Sequence, residues 1–471
     1  MKNKLLQNLS ANTLQLVVNQ LAGLAIFYLL STGLDKNNFG QLNLALAILM
    51  MAFNLLSLGI DQVAIRKIAS GEDAGEVLSH YLFHVLFSGL LFYGIMFAGS
   101  IFIPQTDIYP LLLLIGAGKL MIYFSTPFKQ AASGMERFKL LGMMLVISNL
   151  VRSLALLILV LTHVLSLQTT VIVFIIGDVL ELLCCILFFS RSTGVPVTVQ
   201  FNKKKYFALL REALPQTGVN LLTSAMARFD WVFIGFMASA VKLAEYSFAY
   251  KVFEMSTLPL LAIAPLLIPR FTKLFKQAAG IDTENLKHLV RAEMIIAAFT
   301  SLALNMLWAP VIDALTHGKY GAVNSGTLFL LTLCIPFLYL NNFLWTIYFA
   351  QGRMQMILKG FILTFTVNAG LDILLIPVFG NEGAAAGFLA SCLVQAAFYL
   401  YNNRISQLNS IWQNLAICMV CALVSGFAAS IFHLNCWIAL AIASILYVML
   451  LLITRQIKPA DRKVIGAAFA A

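Results

Sequence analysis

Fourteen apolar stretches, each long enough to cross a membrane as a helix, constrain this chain more than any other feature. A membrane-spanning helix needs about 20 mostly apolar residues, and such stretches follow one another almost without interruption. Charged residues make up 11% of the 471 residues, whereas soluble domains carry about 25%. The sequence therefore predicts an all-α integral membrane protein with 14 transmembrane helices. The predicted spans, numbered in chain order, cover residues 10–33, 38–64, 77–103, 108–131, 140–163, 167–190, 213–239, 244–270, 289–317, 323–350, 358–378, 383–405, 411–433 and 435–456.

The basic side chains fall on one side of this predicted topology. When the N-terminus is placed in the cytoplasm, 24 of the 31 Lys and Arg residues lie on the cytoplasmic side. Cytoplasmic loops of membrane proteins carry such an excess, so both termini are predicted to be cytoplasmic. Membrane topology thereby explains the net charge of +11, and no nucleic-acid partner is expected. Lys36, Lys242 and Lys319 lie outside, and four basic residues lie within spans: Lys119, Arg152, Arg228 and Lys251.

The order of the spans predicts an internal repeat. Spans 1 to 6 and spans 7 to 12 each begin on the cytoplasmic side, as in transporters built from two parallel repeats. The expected organisation is an N-terminal lobe at 1–190, a cytoplasmic linker at 191–212, and a C-terminal lobe at 213–405. Spans 13 and 14 and a cytoplasmic tail, residues 406–471, are predicted to be appended to the two six-helix lobes.

Basic residues inside the predicted spans are the first candidates for function. A charge in hydrocarbon costs at least about 2.5 to 3.5 kcal/mol, so it is normally retained for a purpose. At about 1.5 Å of rise per residue, Arg228 and Lys251 lie at nearly the same depth, and Lys119 and Arg152 both lie near the midplane. Arg and Lys bind phosphate oxygens strongly where water is excluded. We therefore expect these four residues to bind an anionic substrate along a transport path.

Internal ion pairing is the alternative for the basic residues of spans 7 and 8. Lys251 and Glu254 are three residues apart, so they share a helix face and can contact each other. Arg228 and Asp230 are two residues apart and do not face each other. Arg228 is therefore expected to find its partner elsewhere, and substrate contact is the stronger expectation for it.

The same alternative applies to the basic residues of the first predicted lobe. Arg152 on span 5 could pair with Asp178 or Glu181, which stand one turn apart at similar depth on span 6. Lys119 has no acidic neighbour on its own helix. Because a carboxylate in a changing dielectric changes its proton occupancy, four acids are candidates for coupling transport to H+ or Na+. These are Asp230, Glu254, Asp178 and Glu181.

Aromatic and proline residues add two weaker expectations. Amphipathic rings near the proposed path are candidates for stacking on sugars, and they are Trp231, Tyr246, Tyr250, Trp345 and Tyr348. Prolines remove backbone hydrogen bonds, which a membrane protein tolerates where neighbours or a cavity satisfy the freed carbonyls. Pro259, Pro265, Pro269 and Pro336 are therefore predicted to break or bend spans 8 and 10.

Catalysis is not expected from this sequence. The connections on the outer side are only a few residues long, and the six His residues form no local acid–base group. The seven Cys residues lie mostly in apolar segments without zinc-site spacing, so they are expected to be small buried side chains. The sequence thus predicts no catalytic residue, no metal site and no cofactor beyond a coupling ion.

Two segments resemble a known family. The segment FGQLNLALAILMMAFNLLSLGIDQVAIRKIA, Phe39–Ala69, resembles the second-helix signature of polysaccharide flippases of the MOP superfamily, the Wzx-like transporters. The segment RFDWVFIGFMASAVKLAEYSFAYKVFEM, residues 228–255, resembles the seventh and eighth helices of that family. The matching positions are Asp230, Ile234, Gly235, Phe236 and Tyr246.

This resemblance implies a two-lobed bundle with a central cavity in the bacterial inner membrane. The implied substrate is an oligosaccharide linked to undecaprenyl diphosphate, such as the O-antigen repeat unit of lipopolysaccharide, moved from the cytoplasmic to the outer leaflet. Membrane lipids and other polysaccharide assembly proteins are the implied partners. Lipid II flippases and the MATE-like cation-coupled antiporters of the same superfamily are the alternatives. The first span carries no acidic residue of the kind with which many such antiporters couple cations.

Overall fold

The chain is α-helical across the part that the structure describes. The computed structural model describes residues 2–102, 108–260, 283–403 and 410–457, together with Leu267 and Phe271; its side chains are described from Val18 onward, apart from a few at 215–227 and 283–285. Within these ranges the α-helices are α1 (Lys2–Gly33), α2 (Lys36–Leu56), α3 (Ile60–Ala69), α4 (Ala74–Phe102), α5 (Ile108–Gly134), α6 (Phe138–Leu161), α7 (Leu167–Thr193), α8 (Lys203–Met237), α9 (Ala240–Ser256), α10 (Thr283–Thr316), α11 (Ser325–Ala350), α12 (Met354–Phe379), α13 (Asn381–Tyr401), α14 (Ile411–Ser430) and α15 (Cys436–Ile453).

The helices coincide with the predicted membrane spans. Among the described residues, 11 helices are long and apolar enough to cross a membrane, namely α2, α4 to α7 and α10 to α15. Spans 1, 7 and 8 correspond to α1, α8 and α9. The protein is therefore a multi-pass membrane protein, while the count of fourteen crossings and the cytoplasmic position of both termini remain predictions.

Some predicted features lie outside the described residues. They are the second half of span 8 with Pro265 and Pro269, and several basic residues assigned to the cytoplasmic side: Arg270, Lys273, Lys276, Arg404, Lys458, Arg462 and Lys463. Of the other prolines, Pro259 follows the end of α9 at Ser256. Pro336 lies inside α11, which continues on both sides of it.

Side-chain hydrogen bonds cap the first turns of α2 and α7. The Asp35 carboxylate accepts from the Asn38 backbone N–H at 2.9 Å and caps α2. Ser166 and Thr169 form a reciprocal capping box at the start of α7, each hydroxyl accepting from the backbone N–H of the other residue. Caps of this type satisfy the first N–H groups of a helix, which have no partner within it.

Predicted span 2 is not one continuous helix, and this part of the prediction was wrong. The helix ends at Leu56 and α3 begins at Ile60, because Leu58 (φ 47°) and Gly59 (φ 73°) adopt left-handed backbone conformations. Glycine adopts this conformation without the steric cost of a side chain. Hydropathy alone could not reveal the break, because the segment Leu56 to Ile60 is apolar on average although it contains one serine and one glycine.

Side chains from other helices satisfy the carbonyls that this break frees. Nε2 of His84 on α4 donates to the Leu56 carbonyl at 2.8 Å, and its Nδ1 accepts from the Tyr206 hydroxyl at 2.9 Å. The Thr217 hydroxyl on α8 donates to the Leu58 carbonyl at 2.8 Å. Backbone groups at membrane depth need partners within the protein. The break is therefore stabilised by α4 and α8.

Helix contacts divide the chain into two compact units. The first contains Met1–Gly235 and Ser239–Ala244, and the second contains Phe236–Ala238 and Glu245–Ala471. In the first unit α4 packs on α5, and α5 and α6 pack on α7; in the second, α10 packs on α11, and α11 and α12 pack on α13. The same pairs of neighbours thus recur at an offset of six predicted spans. The lobe boundaries at 190 and 213 remain a prediction, and by its contacts α8 belongs to the first unit as far as Gly235.

Replacing Thr217 by Val removes the hydroxyl that bonds the Leu58 carbonyl and nearly preserves side-chain shape. We expect a loss of about 1 kcal/mol in the free energy of unfolding, measured as a lower unfolding temperature in detergent. Thr366→Val is the matched control, because the exposed Thr366 hydroxyl bonds the Ile362 carbonyl of its own helix. Equal unfolding temperatures for the two variants would contradict the role given to Thr217.

Candidate functional site

A row of alternating charges connects α5, α6 and α7. At one end, Nζ of Lys119 lies 3.2 Å from Oδ2 and 3.4 Å from Oδ1 of Asp178. Nη2 of Arg152 donates to Oδ1 of Asp178 and lies 3.3 Å from Oε2 of Glu181. At the other end, Nζ of Lys129 donates to Oε1 of Glu181 at 2.9 Å. We call these five residues the charge ladder, because each of its carboxylates lies between two cations.

The side chains in the middle of the charge ladder are buried, and those at its two ends are partly exposed. The exposed fractions of the Asp178, Glu181 and Arg152 side chains are 1%, 5% and 8%. Those of Lys129 and Lys119 are 12% and 24%. Burying an ion pair is costly unless its geometry is good and its remaining polar atoms find partners. The inner three residues therefore depend on one another, while the two lysines retain access to their surroundings.

Neutral side chains add hydrogen bonds to the inner residues. The Ser148 hydroxyl donates to Oε2 of Glu181 at 2.7 Å, and Nη1 of Arg152 donates to the Asn149 side-chain oxygen at 2.9 Å. On α6, Ser148 and Asn149 are adjacent, and Arg152 lies one turn further along the helix. The pattern explains why α6 carries polar residues in an otherwise apolar helix.

Two glycines make room for the buried charges. A Cβ at Gly118 of α5 would lie 2.6 Å from Oδ2 of Asp178 and 3.3 Å from the Ile175 Cα. A Cβ at Gly177 of α7 would lie 2.5 Å from Cγ of Arg152. The three helices can therefore enclose the Arg152–Asp178 pair only because both positions lack a side chain.

The sequence identified most of the charge ladder and the pairing of its central arginine. The proposed pairing of Arg152 with Asp178 or Glu181 is confirmed, and it engages both. Lys119 pairs with Asp178 on α7, 59 positions away along the chain. Inspection of the acidic residues on its own helix could not identify this partner. Lys129, one of the 24 basic residues counted on the cytoplasmic side, lies within α5, which continues to Gly134. Substrate binding by Lys119 and Arg152 remains a prediction.

Arg228 and Asp230 lie on α8, as predicted. The guanidinium carbon of Arg228 lies 4.3 Å from the centre of the Trp231 ring, a distance at which a cation is attracted to the ring face. Asp230 is buried, and its Oδ1 accepts from the Trp231 backbone N–H at 2.9 Å. Substrate contact by Arg228 and ion coupling by Asp230 remain predictions.

Lys251 and Glu254 pair on α9. Nζ of Lys251 donates to Oε2 of Glu254 at 2.7 Å, which confirms that the two residues contact each other along one helix face. Their side chains are 22% and 38% exposed. Exposed pairs of this kind contribute little to stability, about 0.2 to 1 kcal/mol. Lys251 can therefore exchange partners at small cost, and its substrate role remains a prediction.

The two segments that resemble a flippase family meet within the first unit. A Cβ at Gly40 of α2 would collide with the carbonyl oxygen of Ala240 and lie 3.0 Å from its Cα. A Cβ at Gly235 of α8 would lie 2.6 Å from Cδ1 of Leu44 on α2. Glycine at these two positions thus permits close packing of the segments, which is a physical reason for its presence in both.

The aromatic candidates are largely packed. Tyr246 and Tyr348 are 0% and 2% exposed, and Trp231 and Tyr250 are 5% and 9% exposed. The rings of Tyr246 and Tyr250 stack with their centres 5.8 Å apart. Trp345 is partly exposed. Sugar stacking remains a prediction, with Trp345 the candidate whose ring is most accessible in this structure.

Two further carboxylates are buried in the second unit. Asp372 is 0% exposed, accepts from Asn368 Nδ2 at 3.2 Å, and faces Gly387 of α13. Glu293 on α10 is 5% exposed and was not selected, although its position inside span 9 was visible. Among the described residues, no group of three or more His, Cys, Asp or Glu side chains is placed to hold a metal ion.

Ion pairs attach the start of α8 to α3. Arg66 pairs with Glu212, and Nζ of Lys67 lies 2.9 Å from Oε1 of Glu72 and 3.3 Å from Oε2 of Glu212. The bond to Glu72, with a further contribution from Glu212, raises the pKa of Lys67 above its usual value of 10.5.

The family described as polysaccharide biosynthesis protein matches residues 5–275 of this 471-residue chain. The chain belongs to this family. Comparison with curated protein sequences finds no match. The match covers both segments that resemble polysaccharide flippases, and the expected relationship to a polysaccharide biosynthesis family is confirmed.

Solved structures of the MOP superfamily share the fold of this polysaccharide biosynthesis family member. The lipid II flippase MurJ in an inward closed conformation matches 94% of this chain and 98% of its own, with a TM-score of 0.73 and 13% identity. An inward-facing multidrug resistance MATE family transporter matches 85% and 99%, with a TM-score of 0.63 and 16% identity. A MOP superfamily transporter from Pyrococcus furiosus, described as having a binding pocket of reverse polarity, matches 85% of this chain and 94% of its own. Its TM-score is 0.58 and its sequence identity is 16%.

These similarities establish that this family member has the fold of the three solved proteins. The neighbours are a flippase and transporters rather than enzymes. At identities of 13% to 16% the likeness establishes the fold alone. The substrate must therefore be argued from the chain's own residues.

Gly40→Ala is expected to prevent folding or strongly destabilise this family member, because the added methyl meets a backbone carbonyl that cannot rotate away. Gly235→Ala is expected to cost less, about 1 to 3 kcal/mol, because the Leu44 side chain can shift. Gly94→Ala is the control, since its Cβ would enter open space. The yield of folded protein and the unfolding temperature test this ranking, which a tolerant Gly40→Ala variant would overturn.

Arg152→Met is expected to destabilise the protein by about 3 to 5 kcal/mol, because two buried carboxylates lose the cation that they share. The double variant Arg152→Met, Asp178→Asn is expected to recover part of this loss, since one of those charges is gone. Thermal unfolding in detergent measures both effects. Additive destabilisation in the double variant would show that the pair is not electrostatically coupled.

Proposed function

We propose that this protein is a flippase that moves an oligosaccharide linked to undecaprenyl diphosphate from the cytoplasmic to the outer leaflet of the bacterial inner membrane. The observation that carries the proposal is the charge ladder, which holds three cations and two carboxylates within membrane-spanning helices. A surplus cation at that depth is suited to an anionic head group. Membership of a polysaccharide biosynthesis family supports an oligosaccharide as the group that the carrier lipid bears.

The chemistry of a diphosphate head group fits the accessible basic side chains. A phosphate anion entering a membrane needs compensating charge, because leaving water is costly for an ion. Lys119 and Lys251 are each partly exposed, and both are held by a carboxylate that they can exchange. Arg228, stacked on Trp231, adds a planar donor group suited to phosphate oxygens. The polyprenyl chain would remain in the lipid while the head group moves.

Energy coupling is a separate part of the proposal. A proton or Na+ could act at Asp230, Glu254, Asp178 or Glu181. Asp178 and Glu181 already hold two cations each, so a coupling ion there must first displace a lysine. Glu254 likewise holds Lys251, so all four carboxylates stay candidates, and the membrane potential is the alternative driving force for an anionic substrate.

Two other transport functions share the fold. A lipid II flippase would carry the same diphosphate and polyprenyl groups with a different sugar portion, and the likeness to MurJ supports it. A cation-coupled antiporter of small molecules is supported by the likeness to a MATE transporter. The surplus of basic over acidic groups in the charge ladder favours an anionic substrate over an organic cation.

Reconstitution into vesicles tests the function. The native protein is expected to move a labelled undecaprenyl-diphosphate oligosaccharide between leaflets, measured by the accessibility of the label to an external quencher. Arg228→Ala and Lys251→Ala are expected to slow this movement by about tenfold or more, the value of one charge-assisted hydrogen bond. Lys359→Ala, at an exposed position of α12, is the matched control.

The outcome also separates the alternatives. Movement of lipid II but not of the oligosaccharide lipid would favour the lipid II flippase. Uptake of organic cations with no lipid movement would replace the proposal by the antiporter. Full activity in both basic variants would show that Arg228 and Lys251 are structural.

A further inference from the structure

The charge ladder can release one of its cations. Each carboxylate has two cationic partners, and Arg152 is shared between Asp178 and Glu181. If either end lysine leaves, its carboxylate still contacts Arg152. A buried carboxylate that keeps a cation avoids the large penalty of an uncompensated charge. The end lysines are therefore dispensable to the ladder, whereas Arg152 is not.

The two end lysines are not equally held. Lys129 donates to Glu181 at 2.9 Å, and its side chain is 12% exposed. Lys119 lies 3.2 and 3.4 Å from the two oxygens of Asp178, and its side chain is 24% exposed. The longer distances and the greater exposure identify Lys119 as the cation that leaves at the lower cost.

The position of Lys119 suits an anion that crosses the membrane. It is the twelfth residue of the 27-residue helix α5, so it lies about 16 Å along the helix from its start. Its ammonium also lies 5.6 Å from the centre of the Phe174 ring, a neighbour that offers no competing anion. An ion pair formed at such depth is stronger than one in water, because the effective dielectric constant is lower.

We propose that Lys119 is the phosphate-binding group of the first unit and that it binds by exchange. Its ammonium leaves Asp178 for a phosphate oxygen of the lipid carrier, while Arg152 stays on Asp178 and Glu181 as a structural clamp. This inference rests on the proposed function and refines it, since it separates the substrate-binding role of Lys119 from the positioning role of Arg152.

Exchange explains how a buried cation can bind a phosphate and still release it. Lys119 is paired both before and after binding, so the affinity for phosphate is only the difference between two ion pairs. Transport requires binding strong enough for entry and weak enough for exit. When the head group departs, Asp178 recaptures the ammonium and restores the resting arrangement.

Binding in nanodiscs tests this assignment with undecaprenyl diphosphate as the probe and undecaprenol as its uncharged counterpart. Lys119→Gln is expected to keep an unfolding temperature close to that of the native protein and to weaken undecaprenyl diphosphate binding by about tenfold or more. Lys119→Arg is expected to restore binding. Lys129→Gln, at the other end of the ladder, is expected to bind as the native protein does.

Other results overturn the inference in distinguishable ways. Native affinity in Lys119→Gln, or an equal loss in Lys129→Gln, would refute the assignment while leaving the proposed function intact. Failure of Lys119→Gln to fold would refute the claim that Asp178 stays stably buried when Arg152 is its only cationic partner. If the native protein binds undecaprenyl diphosphate no better than undecaprenol, the proposed function fails, and the inference with it.

Discussion

The need of every polar group in a membrane for a partner within the protein determines much of this structure. Arg152 meets that need for two carboxylates at once, and three helices are arranged around it. Gly118 and Gly177 leave space for its pair with Asp178. The same requirement explains the break after Leu56, whose freed carbonyl accepts from a histidine on another helix.

The proposed function depends on differences in burial and in ion-pair distance among these polar groups. The inner part of the charge ladder is buried, and Arg152 pairs there with both carboxylates, which suits it to hold helices together. Its ends are lysines, and Lys119 is the more exposed and the less closely held. Lys251 is likewise paired with Glu254 at a partly exposed site. Cations that are paired at rest but can change partner suit the transient binding of a phosphate, and this is the physical basis of the proposed transport.

The residues of the candidate site could be read from the sequence more completely than their contacts. Charges inside apolar stretches are conspicuous, so Lys119, Arg152, Asp178 and Glu181 were all selected. Lys129 was missed because it lies near the end of a predicted span, and the edges of helices are poorly determined by hydropathy.

Local properties of the sequence determined the membrane class, the positions of the helices and the family, because apolar length, loop charge and motif residues are all visible along the chain. Only the tertiary structure decided which acids Lys119 and Lys129 pair with, because Lys119 and Asp178 are 59 positions apart and Lys129 and Glu181 are 52 apart. It also decided that span 2 is broken and that Gly40 packs against Ala240. These contacts depend on how helices approach one another in space, which neither hydropathy nor residue spacing encodes.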